Sequence, residues 1–389
     1  MSGERRLWTS AAVVAALALN VACTGSLEGG DAGAAIDAGV RVDGGASGDA
    51  GASMDAGASV DAGEAADAGT STDAATAVDA GAGGNLVGPR VTDFTESGPI
   101  ELSSGMTVTG LHVSNPSGPC IHGDHVTDVH IVDNMIGPCG AETDPNGVGI
   151  GLDDSSQVHV DHNSFDDVAS ALYITGYGGD VNDIVFDHNV STRIRGPLPR
   201  GQMVQFNHVR GAGNAVLCNV DDETAPGYLA GQEDHVSVFD SAGTAASPLT
   251  ISYNKLRGGG PSHSGGGILS GDYGSSYVDV TDNILINPGQ YGLAVAGGDH
   301  GRFLRNRVYS PVAFEWSNIG MFVWNQSPTI PCTDNEMRDN RVFYVRADGP
   351  NNSWNAGNCG DVAGFDTDNV WGDDTLTDAM WDEVIAACE

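Results

Sequence analysis

The stretch VHVDHNSFDDV, residues 158–168, decides the fold because its pattern returns along the chain. It is a short alternating apolar segment closed by asparagine, and alternation with a period of two indicates a β-strand. The same phrase appears in VHIVDNMIG (129–137), IVFDHNVSTRI (184–194), VQFNHVRGAG (204–213), LTISYNKLRGGG (249–260), VDVTDNILINPG (278–289) and FLRNRVYSP (303–311). Such recurrence indicates a repeated structural unit.

The closing asparagines measure the repeat. They are Asn134, Asn163, Asn189, Asn254, Asn283 and Asn306. Their separations are 29, 26, 65, 29 and 23 residues, so the longest interval has room for two or three units. A second phrase lies between the first ones and places a short strand after small residues, as in GVGIGLDD, ALYITGYGG, GGGILSGDYG and GLAVAGGDH. Together these patterns predict an all-β solenoid.

The two phrases resemble the right-handed parallel β-helix of the pectin-lyase-like superfamily. This resemblance covers roughly residues 98–345. It implies that aliphatic side chains stack inside the coils, that the asparagines form a hydrogen-bonded ladder at one turn, and that the partner is a polysaccharide. The segments VDHNSF and FDHNV are similar to a short pectate-lyase motif whose other residues are missing. We therefore give Asp161, His162, Asp187 and His188 mainly a role in turns.

The glycine-rich stretch LRGGGPSHSGGGILSGDYGSSY, residues 256–277, is assigned to one coil of this solenoid. It lacks the lysine of a P-loop and the strand-to-helix context of a dinucleotide-binding loop, so no nucleotide cofactor is expected. Its glycines would form turns that leave Ser262, His263 and Ser264 projecting beside a groove suited to a flat sugar ring. The alternative is that these glycines only turn corners.

The N-terminus indicates export. An apolar run from Leu7 to Leu19 follows two arginines and precedes small residues, which is the layout of a signal peptide over residues 1–22. Cys23 is similar to the lipidated cysteine of bacterial lipoproteins, although Asn20 departs from the usual sequence. We predict a monomeric lipoprotein of the outer membrane or cell surface, in contact with the membrane only through this anchor. Ordinary cleavage would instead give a secreted protein.

Residues 23–84 form a low-complexity acidic segment with an aspartate every six residues. A six-residue period also occurs in β-helices, but glycine, alanine or threonine stands where several of the stacked aliphatic residues would be needed. We predict a flexible, self-repelling linker. The repeated aspartates are Asp31, Asp37, Asp43, Asp49, Asp55, Asp61, Asp67, Asp73 and Asp79.

Charge and cysteine content limit the partners and the compartment. The chain has 52 acidic and 16 basic residues, a net charge of −36, which argues against nucleic acid as a partner. Six cysteines besides Cys23 fit an oxidising compartment. We predict a Cys120–Cys139 disulfide in preference to a zinc site formed with the nearby histidines. Pairing stays open for Cys218, Cys332, Cys359 and Cys388.

β-Elimination from a uronic-acid polysaccharide requires a cation that neutralises the carboxylate and a base that removes the C5 proton. The candidate cations are Arg195, Arg200 and Arg257, and the candidate bases are Lys255 and His263. The candidate substrate-binding residues are Arg193, Ser262, Ser264 and Tyr273. Glu233, Asp234 and Asp272 are candidate ligands for calcium. The alternative for the arginines is pairing with the abundant carboxylates.

We predict a lyase or an epimerase acting on an extracellular uronic-acid polysaccharide. Hydrolysis ranks lower because the paired-aspartate signature of polygalacturonases and the G-x-S-x-G motif are absent. The alternatives are a non-catalytic carbohydrate-binding or adhesive protein and a purely structural surface protein. Basic side chains aligned in one groove would favour the enzyme, whereas dispersed and salt-bridged ones would favour the binding protein.

The predicted β-helix spans residues 85–345, and residues 346–389 are predicted to cap it. The final segment TLTDAMWDEVIAACE has a helical apolar pattern. Its apolar face would contain Leu376, Met380, Trp381, Val384, Ile385 and Cys388. We expect this helix to cover the open end of the solenoid.

Overall fold

The computed structural model describes residues 87–224, 231–262 and 264–389. Their strands form three long sheets, here named sheet A, sheet B and sheet C, with 12, 10 and 9 strands. The chain passes from B to C to A and then returns to B, and each strand pairs with the equivalent strands of the preceding and following coils. The predicted signal peptide, Cys23 and the acidic linker lie outside the described residues.

The strands are short and follow the repeated phrases. Sheet A contains Thr95–Ser97, Leu111–Asn115, Met135–Cys139, Ser164–Val168, Val190–Ile194, Val220–Asp222, Lys255–Arg257, Ile284–Ile286, Arg307–Ser310, Arg341–Arg346, Gly349–Pro350 and Val370–Trp371. Sheet B contains Ile100–Glu101, Ile121–Asp124, Ile150–Asp153, Leu172–Thr175, Val204–Asn207, Val236–Phe239, Ile268–Asp272, Tyr291–Val295, Ile319–Val323 and Ser353–Asn355. Sheet C contains Thr107–Thr109, Thr127–Val132, Ser156–Asp161, Ile184–Asp187, Ala215–Leu217, Leu249–Ser252, Val278–Thr281, Arg302–Leu304 and Glu336–Arg338.

Parallel pairing in register makes the molecule a β-helix. In sheet B, Leu172 pairs with Ile150 on one side and with Val204 on the other. All three side chains are buried, because alternate residues of each strand point into the solenoid. The sheets continue past the predicted limit at residue 345, since Ser353–Asn355 joins sheet B and Val370–Trp371 joins sheet A.

The turn from sheet C to sheet A carries the predicted asparagine ladder. The first of these turns is Gly110 alone. Each of the eight that follow has two residues, of which the first has a positive φ, as in His162 and Tyr253, and the second is a buried asparagine. The amide of Asn254 donates to Asn283 Oδ1 at 2.9 Å, and that of Asn219 donates to Asn254 Oδ1 at 2.9 Å. Asn219 fills the interval of 65 residues, which therefore holds one additional ladder asparagine. The ladder also continues through Asn340 and Asn369.

One repeated phrase was assigned to the wrong group. VQFNHV contains the sheet B strand Val204–Asn207, and its asparagine points outward, where its amide donates to Tyr173 Oη at 2.7 Å. It therefore belongs with the second phrase. Apolar alternation followed by asparagine occurs in both groups, and only the strand pairing distinguishes them.

The glycine-rich stretch forms the predicted single coil. Its strands lie in sheet A at Lys255–Arg257 and in sheet B at Ile268–Asp272. Gly271 has a φ of +106°, and a Cβ there would lie 1.9 Å from the carbonyl oxygen of Gly297. Glycine is thus required where the next coil approaches this backbone.

Three disulfides connect parts of the described chain. The predicted Cys120–Cys139 bond is confirmed, with the two Cα atoms 5.4 Å apart, which removes both thiols from any zinc site. Cys332 pairs with Cys359. Cys218 pairs with Cys388, so the C-terminus is covalently linked to a turn between sheets C and A, 170 residues earlier.

The C-terminal segment does not cover the open end of the solenoid. It contains two short 3-10 helices, Asp378–Asp382 and Ala386–Cys388, and it packs on the outer side of sheet A. Leu376 and Met380 contact Ile284 and Ile286, which point outward from that sheet. The segment therefore covers apolar residues on the flank. No helix in the described ranges is long and apolar enough to cross a membrane.

Candidate functional site

The outer face of sheet B gathers polar and aromatic side chains from successive coils. Strand register aligns Tyr173, Gln205, Ser237 and Leu269 in one outward row. Neighbours in such a row are about 4.8 Å apart. The loops that enter these strands from sheet A lie at one edge of the row, and the turns that leave for sheet C lie at the other. We name this surface the sheet B face.

Arg200 lies above the sheet B face without a carboxylate partner among the described residues. Its Cζ is 3.4 Å from the centre of the Tyr173 ring, and its Nη1 is 3.4 Å from Gln205 Oε1. Its buried Nε has no hydrogen-bond partner. Burial lowers the pKa of Arg200, but guanidinium stays charged in proteins. The Nη1 of Arg200 also donates to the Pro199 carbonyl at 3.1 Å. What the side chain offers to a ligand is therefore mainly a positive charge that no described carboxylate neutralises.

The other described arginines form ion pairs with carboxylates, as the alternative interpretation anticipated. They are Arg90, Arg193, Arg195, Arg210, Arg257, Arg302, Arg305, Arg307, Arg338, Arg341 and Arg346. Arg193 pairs with Asp166. Arg195 is buried, pairs with Asp167 at 3.0 Å and donates to backbone carbonyls, among them that of Glu142 at 3.2 Å. Arg193 and Arg195 are therefore already paired with carboxylates of the neighbouring coil.

Four aromatic rings follow one another along the turns that leave sheet B. The ring centres of Tyr177 and His208 are 4.6 Å apart, those of His208 and Phe239 are 5.5 Å apart, and those of Phe239 and Tyr273 are 5.1 Å apart. The two end residues are the most accessible, with Tyr177 67% and Tyr273 49% exposed. We name these four residues the aromatic row. Of them, sequence analysis selected only Tyr273.

Ser262 and Ser264 do not project freely beside the groove. Their hydroxyl groups donate to the two carboxylate oxygens of Glu233, at 2.6 Å and 2.7 Å. Burial raises the pKa of Glu233, and these two hydrogen bonds oppose that shift. The serines thus satisfy a buried carboxylate, whereas sequence analysis assigned them to the substrate. His263, which lies between them, is outside the described residues.

The three predicted calcium ligands are not gathered at one point. Asp234 is buried, accepts a hydrogen bond from the Tyr291 hydroxyl, and accepts another from the Gly266 backbone N–H at 3.0 Å. The oxygens of Glu233, Asp234 and Asp272 do not all lie within 4.8 Å of one another. Calcium binding by this set stays a prediction, but each of the first two carboxylates already has protein partners.

Asp272 has the chemistry of an acid–base group. It ends a sheet B strand beside Phe239, and burial raises its pKa from 3.8 to about 6. A carboxyl group that titrates near neutrality can accept or return a proton during a reaction.

The raised pKa of Asp272 predicts how stability changes with pH. The folded state favours the protonated form of Asp272. The contribution of this group to the free energy of unfolding is therefore lost as pH rises from about 4 through about 6, by up to about 3 kcal/mol. Asp272→Asn stays neutral and should therefore be more stable than the native protein at pH 8, with little difference at pH 4. Urea unfolding at both pH values measures this. The exposed Asp366→Asn provides the control, and an equal effect of both variants would contradict the assignment.

Lys255 and Arg257 lie on sheet A and not in a groove with Arg200. The ammonium of Lys255 donates to the backbone carbonyls of Trp381, at 2.9 Å, and Glu383, and burial lowers its pKa. Arg257 pairs with Asp222 at 2.6 Å and lies 4.1 Å from the Trp381 ring. The C-terminal segment covers both side chains. The role that sequence analysis assigned to Lys255 as an accessible base is therefore corrected to an anchor for that segment.

The sequence carries a signal for the aromatic row. Each of its residues stands at the end of a sheet B phrase or just after it, as in YITGYGG and GDYGSS. Residues at equivalent positions of successive coils align in a solenoid. The signal becomes readable only when VQFNHV is assigned to sheet B, because His208 of the row belongs to that phrase.

No protein-family model and no curated protein sequence matches the chain. Among solved structures, it is similar to the crystal structure of alginate lyase from Paenibacillus sp. str. FPU-7, with 14% sequence identity and a TM-score of 0.44. The match covers 66% of this chain and 87% of that chain. Because a likeness in fold does not transfer a function, the function has to be inferred from the residues of the sheet B face.

Proposed function

We propose that the sheet B face binds a polysaccharide whose chain follows the axis of the solenoid. The aromatic row carries this proposal, because it repeats one ring per coil and leaves Tyr177 and Tyr273 exposed. The coil spacing of about 4.8 Å is close to the length of a sugar ring. Aromatic faces can pack on the C–H faces of successive sugars while neighbouring polar groups bind hydroxyls.

The preferred sugar is a uronic acid. Arg200 has donors that no described carboxylate uses, and a guanidinium group matches the two oxygens of a sugar carboxylate. The net charge of −36 opposes the approach of an anionic chain, but salt at 0.15 M screens charges beyond about 8 Å. Local attraction to Arg200 therefore decides whether an acidic sugar binds.

β-Elimination or epimerisation is the second candidate function, and Asp272 is the observation that favours it. Asp272, with a pKa of about 6, would accept the C5 proton. Arg200 lies two to three strands of sheet B away from Asp272, so it would bind the carboxylate of a neighbouring sugar and not the one next to that proton. In elimination the C4–O bond breaks as a C4–C5 double bond forms, and the leaving oxygen takes up a proton. In epimerisation a proton returns to C5 from the opposite face. His263 stays a candidate for the second proton transfer.

The pairing of most arginines with carboxylates favours binding over catalysis. Sequence analysis associated dispersed, salt-bridged cations with the non-catalytic protein, and Arg200 alone departs from that pattern among the described arginines. We therefore place carbohydrate binding first and the reaction second.

The binding module would act outside the cell. The three disulfides support an oxidising compartment. The signal-like N-terminus and Cys23 suggest a lipoprotein held at the outer membrane or cell surface. The acidic linker would carry the module, as a monomer, away from the lipid.

Binding assays with purified full-length protein test this proposal. The panel contains uronic-acid and neutral polysaccharides, and absorbance of the unsaturated product follows elimination in the same samples. Tyr177→Ala and Tyr273→Ala should each weaken binding about 2–10-fold, as expected for loss of one aromatic contact. Arg200→Gln should weaken binding of uronic-acid chains about 10–100-fold, as expected for loss of a charged hydrogen bond, and leave neutral chains unaffected.

Arg305→Gln is the matched control, because it removes an exposed guanidinium group from the sheet C side. If Arg305→Gln weakens binding as much as Arg200→Gln, the effect is one of net charge and the site is misplaced. If no polysaccharide binds, the proposed function is wrong. If the native protein forms the unsaturated product and Asp272→Asn binds the polysaccharide without forming it, elimination is the principal function.

A further inference from the structure

A cluster of histidine and aspartate side chains lies on the outer face of sheet C, away from the sheet B face. It consists of His130, His159, Asp161 and Asp187, which point outward from three adjacent strands. Strand register sets His130 beside His159 in one row and Asp161 beside Asp187 in the next. We name these four residues the His–Asp cluster. From the sequence, its aspartates are predicted to have mainly a role in turns.

The nitrogen and oxygen atoms of the His–Asp cluster point at one another. The imidazole rings of His130 and His159 are stacked with centres 5.2 Å apart, and the Nε2 of each faces the carboxylates. His130 Nε2 contacts Asp161 Oδ1, and His159 Nε2 is 4.0 Å from the same oxygen. Ligand atoms of these three residues all lie within 4.8 Å of one another. His159 Nε2 is also 2.7 Å from Asp187 Oδ1.

A second layer of histidines holds the two carboxylates. His162 Nδ1 lies 2.8 Å from Asp161 Oδ2, and His188 Nδ1 lies 3.2 Å from Asp187 Oδ2. Each carboxylate therefore directs its Oδ1 towards the cluster while its Oδ2 is held by the next residue. The two second-layer rings stack with centres 5.0 Å apart. Partners of this kind orient the ligands of metal sites.

The charges around the His–Asp cluster leave room for a cation. Asp133, Asp161 and Asp187 surround it, and Arg90 is the guanidinium group that approaches them, 2.8 Å from Asp133 and 4.0 Å from Asp161. Histidine ligands of a metal ion are neutral. Three carboxylates and one arginine then leave a net charge of about −2, which a divalent ion would balance.

We propose that the His–Asp cluster binds a divalent transition-metal ion of the zinc class. The ligands are His130 Nε2, His159 Nε2 and Asp161 Oδ1, with Asp187 or water as the fourth. Two imidazoles and one carboxylate form a donor set that zinc prefers and that calcium and magnesium do not. Metal–ligand distances of about 2.0–2.2 Å require a small closing movement, which the exposed His159 side chain can make towards the buried Asp161.

Bound metal would join neighbouring coils of the solenoid. His130 belongs to the strand Thr127–Val132, whereas His159 and Asp161 belong to Ser156–Asp161. An ion that binds the folded coils and not the unfolded chain stabilises the fold. This site does not depend on the proposed function of the sheet B face, because none of its ligands lies there.

The experiment titrates full-length protein carrying Cys23→Ser with Co²⁺ and with Zn²⁺. The substitution removes the cysteine that is outside the three disulfides. We expect one equivalent of Co²⁺ to produce the visible absorption of a four-coordinate ion, and Zn²⁺ to displace it and raise the thermal midpoint. His159→Gln and Asp161→Asn should each weaken binding at least about tenfold and abolish the rise in thermal midpoint.

His122→Gln is the matched control, because His122 contacts Glu101 and Asp153 on sheet B at 3.0 Å and 3.2 Å. It should bind both metals like the parent protein. The proposal is overturned if no stoichiometric Co²⁺ binding occurs, if His159→Gln and Asp161→Asn bind as tightly as the parent, or if His122→Gln loses as much affinity as they do. Circular dichroism before titration establishes that each variant is folded.

Discussion

Replacing Asn254 with alanine is expected to destabilise the protein by about 3–5 kcal/mol. Its buried amide donates to the carbonyls of Val216 and Ser252 and to Asn283, and its Oδ1 accepts from the backbone and side-chain amides of Asn219. Alanine supplies none of these groups. A buried donor or acceptor left unsatisfied costs about 1–3 kcal/mol. In Asn254→Ala, more than one of the buried groups that now bond to Asn254 would lose its hydrogen-bond partner. Urea unfolding followed by circular dichroism measures the change.

Asn146→Ala is the matched control for the ladder. Asn146 is exposed in a loop, and exposed substitutions of this kind usually change stability by less than about 0.5 kcal/mol. If Asn254→Ala were no more destabilising than Asn146→Ala, the ladder would contribute nothing beyond the ordinary pairing of the strands. The recurrence of asparagine in the turns from sheet C to sheet A after the first would then need another explanation.

Removing the Cys218–Cys388 disulfide is the other change with a large expected effect. It closes a loop with a sequence separation of 170 residues, and loop-closure entropy predicts a loss of about 5 kcal/mol. Loss of this bond would also release the segment whose Leu376 and Met380 cover Ile284 and Ile286. The double variant Cys218→Ser/Cys388→Ser should therefore unfold at lower urea and lose amide protection along the outer side of sheet A, as hydrogen exchange would detect.

The Cys332–Cys359 bond provides the comparison. Its sequence separation is 27 residues, for which the same relation predicts about 3.5 kcal/mol. Cys332→Ser/Cys359→Ser should thus be the milder change and should leave the protection of sheet A intact. Equal losses in both double variants would show that loop length does not govern these bonds, and unchanged protection of sheet A would contradict the covering role of the C-terminal segment.

Local pattern was sufficient for the coil itself. The alternation of apolar and polar residues in VHVDHNSFDDV and its repeats indicates which side chains point inward. The closing asparagines recur because each occupies the equivalent turn of its own coil. The glycine-rich stretch could be assigned to one coil for a similar reason, whereas the close approach of the Gly297 carbonyl, which requires Gly271 inside a sheet B strand, could not be read from it. The Cys120–Cys139 bond followed from two neighbouring corners.

The candidate site could be predicted only in part. Arg200, Tyr273 and Asp272 lie on the sheet B face as the proposal requires, but they were selected together with Lys255 and Arg257, which are covered by the C-terminal segment. Charge alone does not tell a free cation from a paired one. Most of the arginines find a partner on a different coil or in the C-terminal segment, as Arg193 and Arg307 do. Connections of unequal length between coils hide that correspondence.

The sequence by itself therefore determined the parallel β-helix, its inward rows and its asparagine ladder, because these depend on spacings of two residues and on one repeated turn. Tertiary structure alone decided that Arg200 has no carboxylate partner, that four rings form the aromatic row, and that Cys218 meets Cys388. Those outcomes depend on which residues of different coils face each other across space. Residues far apart in the chain meet through the register of the strands and the course of the loops, which no local pattern records.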